Sequence, residues 1–354
     1  MSANNAFDAQ IDSILRKAES LWPLLNGSSI FMTGGTGFFG RWLLESLARA
    51  HETLGVDVGV TVLTRNPEAF LSRAPAVARS PAIRFHQGDV RSFPFPEGRF
   101  SHVVHGAATA AAATFFRRED ALTKFATSFE GTRRALDFAV HCGAERLLML
   151  GSGSVYGGMP GGLFRIPEDH AGAPAPRDTA MAIGHGKRAA EFLCECYAET
   201  HGLDYTVARC FTFVGAHLPL DIHYAIGNFI ADALWRDAIT IKGDGTPFRS
   251  YLFTGDLVVW LLTLLLHGGK RRVYNVGSDQ AISLADLAHA VRDVVSPGKP
   301  VRILGQPQGG PANCYVPEIR RAREDFGLDV WTPLEEAIRL TAAVERTMPR
   351  PVDA

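Results

Sequence analysis

The chain has 354 residues, 46% of them hydrophobic and 21% charged, with a formal net charge of -1. That length can bury one large core or two smaller ones. The near-zero charge excludes a basic face for nucleic acid or acidic lipid, so a bound polyanion is expected to be small and locally held, as a nucleotide diphosphate is.

The opening segment MSANNAFDAQIDSILRKAESLW lacks a basic start followed by a continuous apolar run, and no later run is long and apolar enough to span a bilayer, so the cytoplasm is the expected compartment. Ile11, Ile14, Leu15, Ala18 and Leu21 recur at helical spacing and predict an amphipathic helix within 1–27, packed outside the main sheet. Next come a strand (SSIFMT), a glycine turn (GGTGFFG) and a helix (RWLLESLARAHETLG), the start of a βαβ unit. A second strand, VDVGVTVLT, ends at Thr64-Arg65; AIRFHQGDV and SHVVHGAA read as a third and fourth. This alternation predicts an α/β fold with a Rossmann-type, doubly wound parallel sheet. A helix around Ala121 to Cys142, a strand RLLMLGS, a Gly/Pro-rich loop over 157–176, a helix near Lys187 to His201 and a strand DYTVARCF carry the rhythm to about residue 215. Beyond it AIGNFIADALWRD reads as helix, ITIKGDGTPFRSYLF as a short strand and polar turn, and VYNVGS as an apolar strand. The dinucleotide domain is therefore expected over 28–215 and 252–282, and a smaller, discontinuous α/β substrate lobe over 216–251 and 283–350. Surface helices are expected at 283–295, opened by Ser283, and at 333–347, opened by Thr332-Pro333 as N-cap and N1. Five cysteines (Cys142, Cys194, Cys196, Cys210, Cys314) read as reduced core thiols; Cys194-x-Cys196 has the wrong spacing for a redox or zinc pair, and no metal is expected.

Gly34, Gly37 and Gly40, spaced G-x-x-G-x-x-G between strand and helix, predict dinucleotide binding, with Phe38 and Phe39 in the first helical turn. Such a turn needs residues that tolerate positive φ, lets backbone approach a pyrophosphate, and points free N–H groups at it. A carboxylate closing the second strand would bind a ribose 2′-hydroxyl and repel a 2′-phosphate. Here Thr64-Arg65-Asn66 stands instead, so of the NAD(P) pair NADP is favoured over NAD, unless Arg65 only lies along the adenine or pairs with a surface acid. Asp89 and Val90 are placed to reach the adenine edge, and Ala107 and Ala108 follow the fourth strand at the cofactor.

Taken in order, TGGTGFFG, GDV, HVVHGAA, GSGSVYG, GKRAAE, GDGTPFRSY and YNVGS resemble the extended short-chain dehydrogenase/reductases of the nucleotide-sugar epimerase and dehydratase type, from residue 28 to about 345. The texture at GKRAAE, NFI and GDGTPFRSY is similar to that of UDP-glucuronate decarboxylases. The resemblance implies a transient keto-sugar, with Ser152 in the family's Ser/Thr place and Lys187 as the lysine that holds the nicotinamide ribose. It also exposes a departure: the tyrosine expected four residues before Lys187 is Ile183. Ser128 replaces the usual helix asparagine, and Gly153 and Ser154 stand where dehydratases and decarboxylases carry acidic or Asp–Lys groups. Substitute bases to weigh are His185, His105 and Tyr156, against the alternative that histidines on such a helix are structural.

For the substrate, Arg249 matches the arginine that grips the nucleotide diphosphate, Thr212 and Asn228 line the nucleotide pocket, and Arg272 is a second source of positive charge. Gly157 to Gly162 would rim the sugar pocket, and helices at about 118–142 and 186–201 match those that pair family members as homodimers. The expected activity is an epimerase acting on a nucleotide sugar; the alternatives are a 4,6-dehydratase or decarboxylase with non-standard acid/base groups, or a binding protein that has lost turnover.

Overall fold

The computed structural model describes residues 3–108, 119–158, 163–220, 222, 224–306 and 313–348. The chain runs α1 (Ala3–Lys17), β1 (Ser28–Thr33), α2 (Phe38–Leu54), β2 (Val58–Thr64), the short α3 (Pro67–Leu71) and α4 (Pro75–Arg79), β3 (Ile83–Gln87), β4 (His102–His105), α5 (Ala121–Cys142) and β5 (Arg146–Ser152). It continues through α6 (Ala182–His201), β6 (Asp204–Cys210), β7 (Phe213–Val214), α7 (Ala225–Trp235), β8 (Ile239–Ile241), β9 (Phe248–Arg249) and β10 (Leu252–Phe253). The remainder holds α8 (Thr254–His267), β11 (Arg272–Val276), β12 (Ile282–Ser283), α9 (Leu284–Val295), β13 (Val301–Ile303), β14 (Cys314–Tyr315), α10 (Arg320–Phe326) and α11 (Leu334–Glu345).

Seven strands form one parallel sheet in the order β11-β6-β5-β4-β1-β2-β3. Both faces are covered, so the central strands are apolar throughout rather than alternating. Within β1, Ile30 and Met32 enter one core with α1, α2 and α8, while Phe31 enters the other with Phe138 of α5 and Cys194 of α6. The chain winds outward in both directions from β1, which pairs with β2 on one side and β4 on the other. The carboxyl ends of β1 and β4 therefore flank the crevice where open α/β sheets bind ligands.

Smaller sheets sit beyond the main one: β12-β9-β14, β13-β8 and β10-β7. Ser283 caps α9 as expected, its hydroxyl oxygen accepting from Asp286 N at 3.0 Å. Thr332 does not cap α11. Pro333 occupies the cap position itself, and the Thr332 amide and hydroxyl donate instead to the buried Asp256 carboxylate at 2.8 and 3.0 Å. Helix α6 starts at Ala182, which places Ile183 in its first turn. Helix α8, buried from Thr254 to Leu265, has no counterpart in the sequence reading, because a segment apolar on every side carries no helical period.

Candidate active site

The turn after β1 is built by backbone contact. Gly34 has φ +76°, and a Cβ there would stand 2.4 Å from the Gly106 carbonyl carbon; a Cβ on Gly40 would stand 2.4 Å from Gly35 Cα. A side chain at either place would push apart the two strand ends or lift α2 from the turn. Gly37 is the N-cap of α2 and has no side chain with which to cap it. The first intrahelical bond is made by Arg41 N to Gly37 O at 2.9 Å, so the amides of Phe38, Phe39 and Gly40 precede it at the positive end of the helix. Phe39 is fixed by an edge contact with Phe213 of β7 at 4.8 Å.

Thr64 is buried at the end of β2 and Arg65 is exposed beyond it. The Asn66 side chain is engaged, accepting from Ala69 N at 3.0 Å. Asp89 is also engaged: Arg91 donates to its carboxylate from Nε at 2.9 Å and from the guanidinium end at 3.1 Å. These bonds hold Asp89 below the usual carboxylate range, against a smaller opposing effect of burial, and Arg65 adds a weaker pull. Val90 packs over Gly131 of α5. Ala107 donates its N–H to Thr33 Oγ1 at 3.1 Å, and Ala108 is exposed.

His105 is fully buried in a hydrogen-bonded chain. Thr33 Oγ1 meets its Nδ1 at 2.8 Å, and its Nε2 meets Thr132 Oγ1 at 3.0 Å. Thr132 donates its own proton to Ser128 O at 2.7 Å, so it accepts from Nε2–H, and the Thr33 hydroxyl donates to Nδ1. Burial, with Lys187 adding repulsion, pushes the imidazole down to about 3. His105 is thus a neutral brace between β4 and α5, not a base. Tyr156 is likewise committed: its hydroxyl donates to Asn275 Oδ1 at 2.7 Å and accepts from Arg209 at 2.7 Å, and burial raises it to about 12. His185 stands about 200° around α6 from Ile183, and its Nε2 meets Ala175 O at 3.1 Å. None of the three substitute bases weighed from the sequence is aimed at Ser152.

Ser152 ends β5 and Lys187 reaches the same strand, Nζ donating to Leu150 O at 2.7 Å. The lysine is 3% exposed, and burial pulls it down to about 8, with Cys210, Cys194 and Glu191 opposing. Ser128 is buried where α5 meets α6, and a Cβ on Gly186 would stand 2.7 Å from its Cβ. Ser152 Oγ accepts from Ser154 N at 3.1 Å and from Ser154 Oγ at 2.8 Å.

On the substrate side, Arg249 lies on β9 and donates to Phe248 O at 2.7 Å and to Asn313 Oδ1 at 3.2 Å. The Thr212 hydroxyl donates to Ser250 O. Asn228 donates to Ile222 O at 2.8 Å and so holds the preceding loop rather than leaving its amide free. Arg272 is not part of this cluster. It begins β11, at the amino end of the sheet and away from the strand ends that carry Gly34 and Ser152, and pairs with Asp325 at 3.8 Å. Of the Gly157–Gly162 rim, residues 159–162 lie outside the described residues. Among the described residues, no group of three or more His, Cys, Asp or Glu side chains could hold a metal ion.

The profile of the NAD-dependent epimerase/dehydratase family matches residues 30–277, more than half of the chain. The chain belongs to that family. Relatives include UDP-glucuronic acid decarboxylase 6 of Arabidopsis thaliana, 26% identical over 88% of this chain and 87% of that protein. UDP-glucuronic acid decarboxylase 1 of Danio rerio is 28% identical over 88% of this chain and 71% of the relative. The fold is that of the UDP-glucose 4-epimerase of Thermotoga maritima, solved with UDP-glucose, with a TM-score of 0.73 at 23% identity over 90% of this chain and 98% of the other. The dTDP-glucose 4,6-dehydratase of Bacillus anthracis, solved with NAD, gives 0.72 at 18% identity over 90% and 96%.

One residue in this member of the epimerase/dehydratase family escaped sequence reasoning altogether. Tyr315, on β14, pairs with Arg249 of β9 and stacks on Phe211 at 4.7 Å. Its hydroxyl would stand 2.6 Å from a Cβ on Gly153, the residue after Ser152. No local motif announces it, because its partners come from strands far earlier in the chain.

Proposed function

We propose that this protein is an NAD(P)-dependent enzyme that modifies a nucleotide sugar, acting as an epimerase through a transient keto-sugar. The observation that carries the reading is the convergence on β5 of Ser152, at its end, and the buried Lys187 of α6, which donates to Leu150 O, together with a glycine turn whose uncapped amides suit a pyrophosphate. A bound nicotinamide dinucleotide would supply a reversible hydride acceptor at this cleft. The chain's own groups would hold it: the Gly34–Gly40 turn at the pyrophosphate, Asp89 and Val90 at the adenine, Ala107 and Ala108 along one wall, and Lys187 at the ribose. Arg249 would supply the charge that holds the nucleotide diphosphate, while Thr212 and Asn228 would shape the pocket by tying down its backbone at Ser250 and Ile222.

NADP is favoured over NAD by the absence of a carboxylate at the end of β2 and by the exposed Arg65 there. A homodimer is favoured by the α5–α6 face, where Leu122 (82% exposed), Phe125 and Phe129 lie at helical spacing and Phe192 on α6 is 70% exposed. The five cysteines, all free, suit a reducing cytoplasm. A lyase is the second reading, favoured by relatives that are UDP-glucuronic acid decarboxylases.

The test is native mass spectrometry of the purified protein followed by analysis of released small molecules. Turnover is then assayed with UDP-glucose, UDP-N-acetylglucosamine and UDP-glucuronate. The expected result is retained dinucleotide and an epimerised sugar; release of carbon dioxide would favour the lyase. A protein that emerges empty and gains no thermal stability from NAD or NADP would refute the reading.

A further inference from the structure

Lys187 and Glu191 stand four residues apart on α6, the spacing at which two side chains share one helix face. Both converge on β5: the Lys187 ammonium donates to Leu150 O at 2.7 Å, and Glu191 Oε1 would stand 3.5 Å from a Cβ on the next residue, Gly151. The two are nonetheless not paired with each other. The Glu191 carboxylate is taken by Arg209 of β6, whose Nε donates to Oε1 at 3.0 Å and whose Nη2 donates to Oε2 at 2.7 Å. These side chains are 12% and 13% exposed, so solvent does little to weaken the fork of two charge-assisted bonds. The guanidinium is itself fixed, its Nη1 donating to the Tyr156 hydroxyl at 2.7 Å and to Glu168 O at 3.0 Å. Among the described residues Lys187 thus has a neutral acceptor and no carboxylate partner, and two of its three ammonium protons remain to be given elsewhere.

We propose that Arg209 is a positioning residue for Lys187: by holding both oxygens of Glu191 it keeps that carboxylate from capturing the ammonium, and so leaves the lysine free for the cofactor ribose. The inference rests on the reading of Lys187 as a group that holds a nicotinamide dinucleotide. An ammonium this enclosed is otherwise drawn to the nearest carboxylate, because a buried charge is costly unless it is paired. Paired, its protons would be spent on Glu191. Arginine suits the task, since its planar fork satisfies two carboxylate oxygens at once and does not give up its proton, whereas a lysine at 209 would offer a single point charge. The other titratable groups around the ammonium are His105 on β4, Cys194 on α6 and Cys210 on β6. Burial keeps the imidazole neutral and both thiols protonated, so among these groups Glu191 alone carries negative charge. With the pair prevented, burial dominates at the lysine and pulls it down to about 8.

The experiment follows Lys187 itself. The chain has six lysines, so isotopic labelling of their Cε carbons gives few NMR signals, and Lys187→Met identifies the one of interest. Its titration is recorded in wild type, Arg209→Met, Glu191→Gln and the Arg209→Met/Glu191→Gln double variant, and the affinity of each for NAD and NADP is measured by calorimetry. Methionine keeps an apolar stem at 209 and removes the fork. We expect Arg209→Met to raise the Lys187 midpoint by at least about one pH unit, the scale of a newly gained carboxylate neighbour, and to weaken dinucleotide binding by about tenfold or more. The double variant should return the midpoint to within about half a unit of wild type and the affinity to within about threefold, because glutamine has no charge with which to hold the ammonium. An Arg209 needed only for its bonds to Tyr156 and Glu168 would weaken binding alike in both variants and leave the midpoint in place, a result that would overturn the assignment. A raised midpoint with unchanged dinucleotide affinity would also overturn it. Should Arg209→Met not fold, Glu191→Gln decides: a midpoint within about half a unit of wild type supports the proposal, and a larger fall, which means that Glu191 already pairs with Lys187, overturns it. A wild type that binds neither dinucleotide overturns instead the enzyme reading, while the Lys187 midpoints still decide whether Arg209 insulates the lysine.

Discussion

Replacing Lys187 with methionine tests the site through stability rather than activity. Lys187 is enclosed, and burial takes its ammonium from 10.5 to about 8. Each unit corresponds to 1.36 kcal/mol, so keeping the folded lysine charged costs roughly 3 kcal/mol relative to the unfolded chain. Between pH 8 and 10.5 the unfolded state binds more protons at this residue than the folded state does. Its contribution to folding therefore becomes more favourable as pH rises across that window. Lys187→Met removes this term, but it also leaves the Leu150 carbonyl without its donor, a pH-independent loss of about 1–3 kcal/mol. The sign of the difference at pH 7 is thus open, whereas its slope is fixed. Urea unfolding of both proteins from pH 7 to pH 10.5 should find methionine losing about 3 kcal/mol relative to wild type across the range. Neighbouring thiols such as Cys194, pushed up by burial, titrate in both proteins and largely cancel in the difference. A flat difference would refute the depressed lysine, and with it the claim that burial poises this amine.

Gly34→Ala forces a Cβ onto the Gly106 backbone and is expected to cost about 3 kcal/mol and abolish the thermal shift given by dinucleotide; an unchanged melting curve with a normal NAD shift would count against the turn. Arg65→Asp should move preference from NADP toward NAD by at least about tenfold in a binding titration, the loss of one charge-assisted phosphate contact, whereas equal changes for both cofactors would mean that Arg65 only covers the adenine. Phe192→Glu places a charge on the exposed apolar face of α5 and α6 and should give a monomeric mass by light scattering; a variant that keeps a dimeric mass would place the interface elsewhere.

Much of this architecture was legible because its signals are local. Glycine spacing after an apolar strand, the βα alternation and the Ser283 cap each operate within a few residues, and the structure carries them. The acid/base assignment was not local. His105 and Tyr156 have suitable chemistry in suitable strands, but a sequence does not reveal that Thr33 and Thr132 take up one and Asn275 and Arg209 the other. Arg272 failed for a geometric reason: a residue before an apolar strand lies at the strand's amino end, while a parallel sheet gathers ligands at the carboxyl ends. Tyr315 was invisible for the converse reason, since the β14–β9 pairing, with a partner far earlier in the chain, is what sets it beside Gly153.

Helix α1 is tied to elements that lie far later in the chain. α1 sends Gln10 to Leu340 O of α11 and Lys17 to Asp256 of α8, and its Phe7 meets Trp42 edge-on at 4.9 Å. Its buried Phe7, Ile11, Ile14 and Leu15 contribute roughly 8 kcal/mol at about 2 each, comparable to the whole stability of an ordinary domain. That apolar stripe can meet α2 early, through Phe7 and Trp42, but its seat is complete only once α8 and α11 are present. Residues 30–277, which carry the family signature, are by the same logic not a self-sufficient folding unit. Released without α1 and α11, they would leave Asp256 without Lys17 and an oily seam open to aggregation.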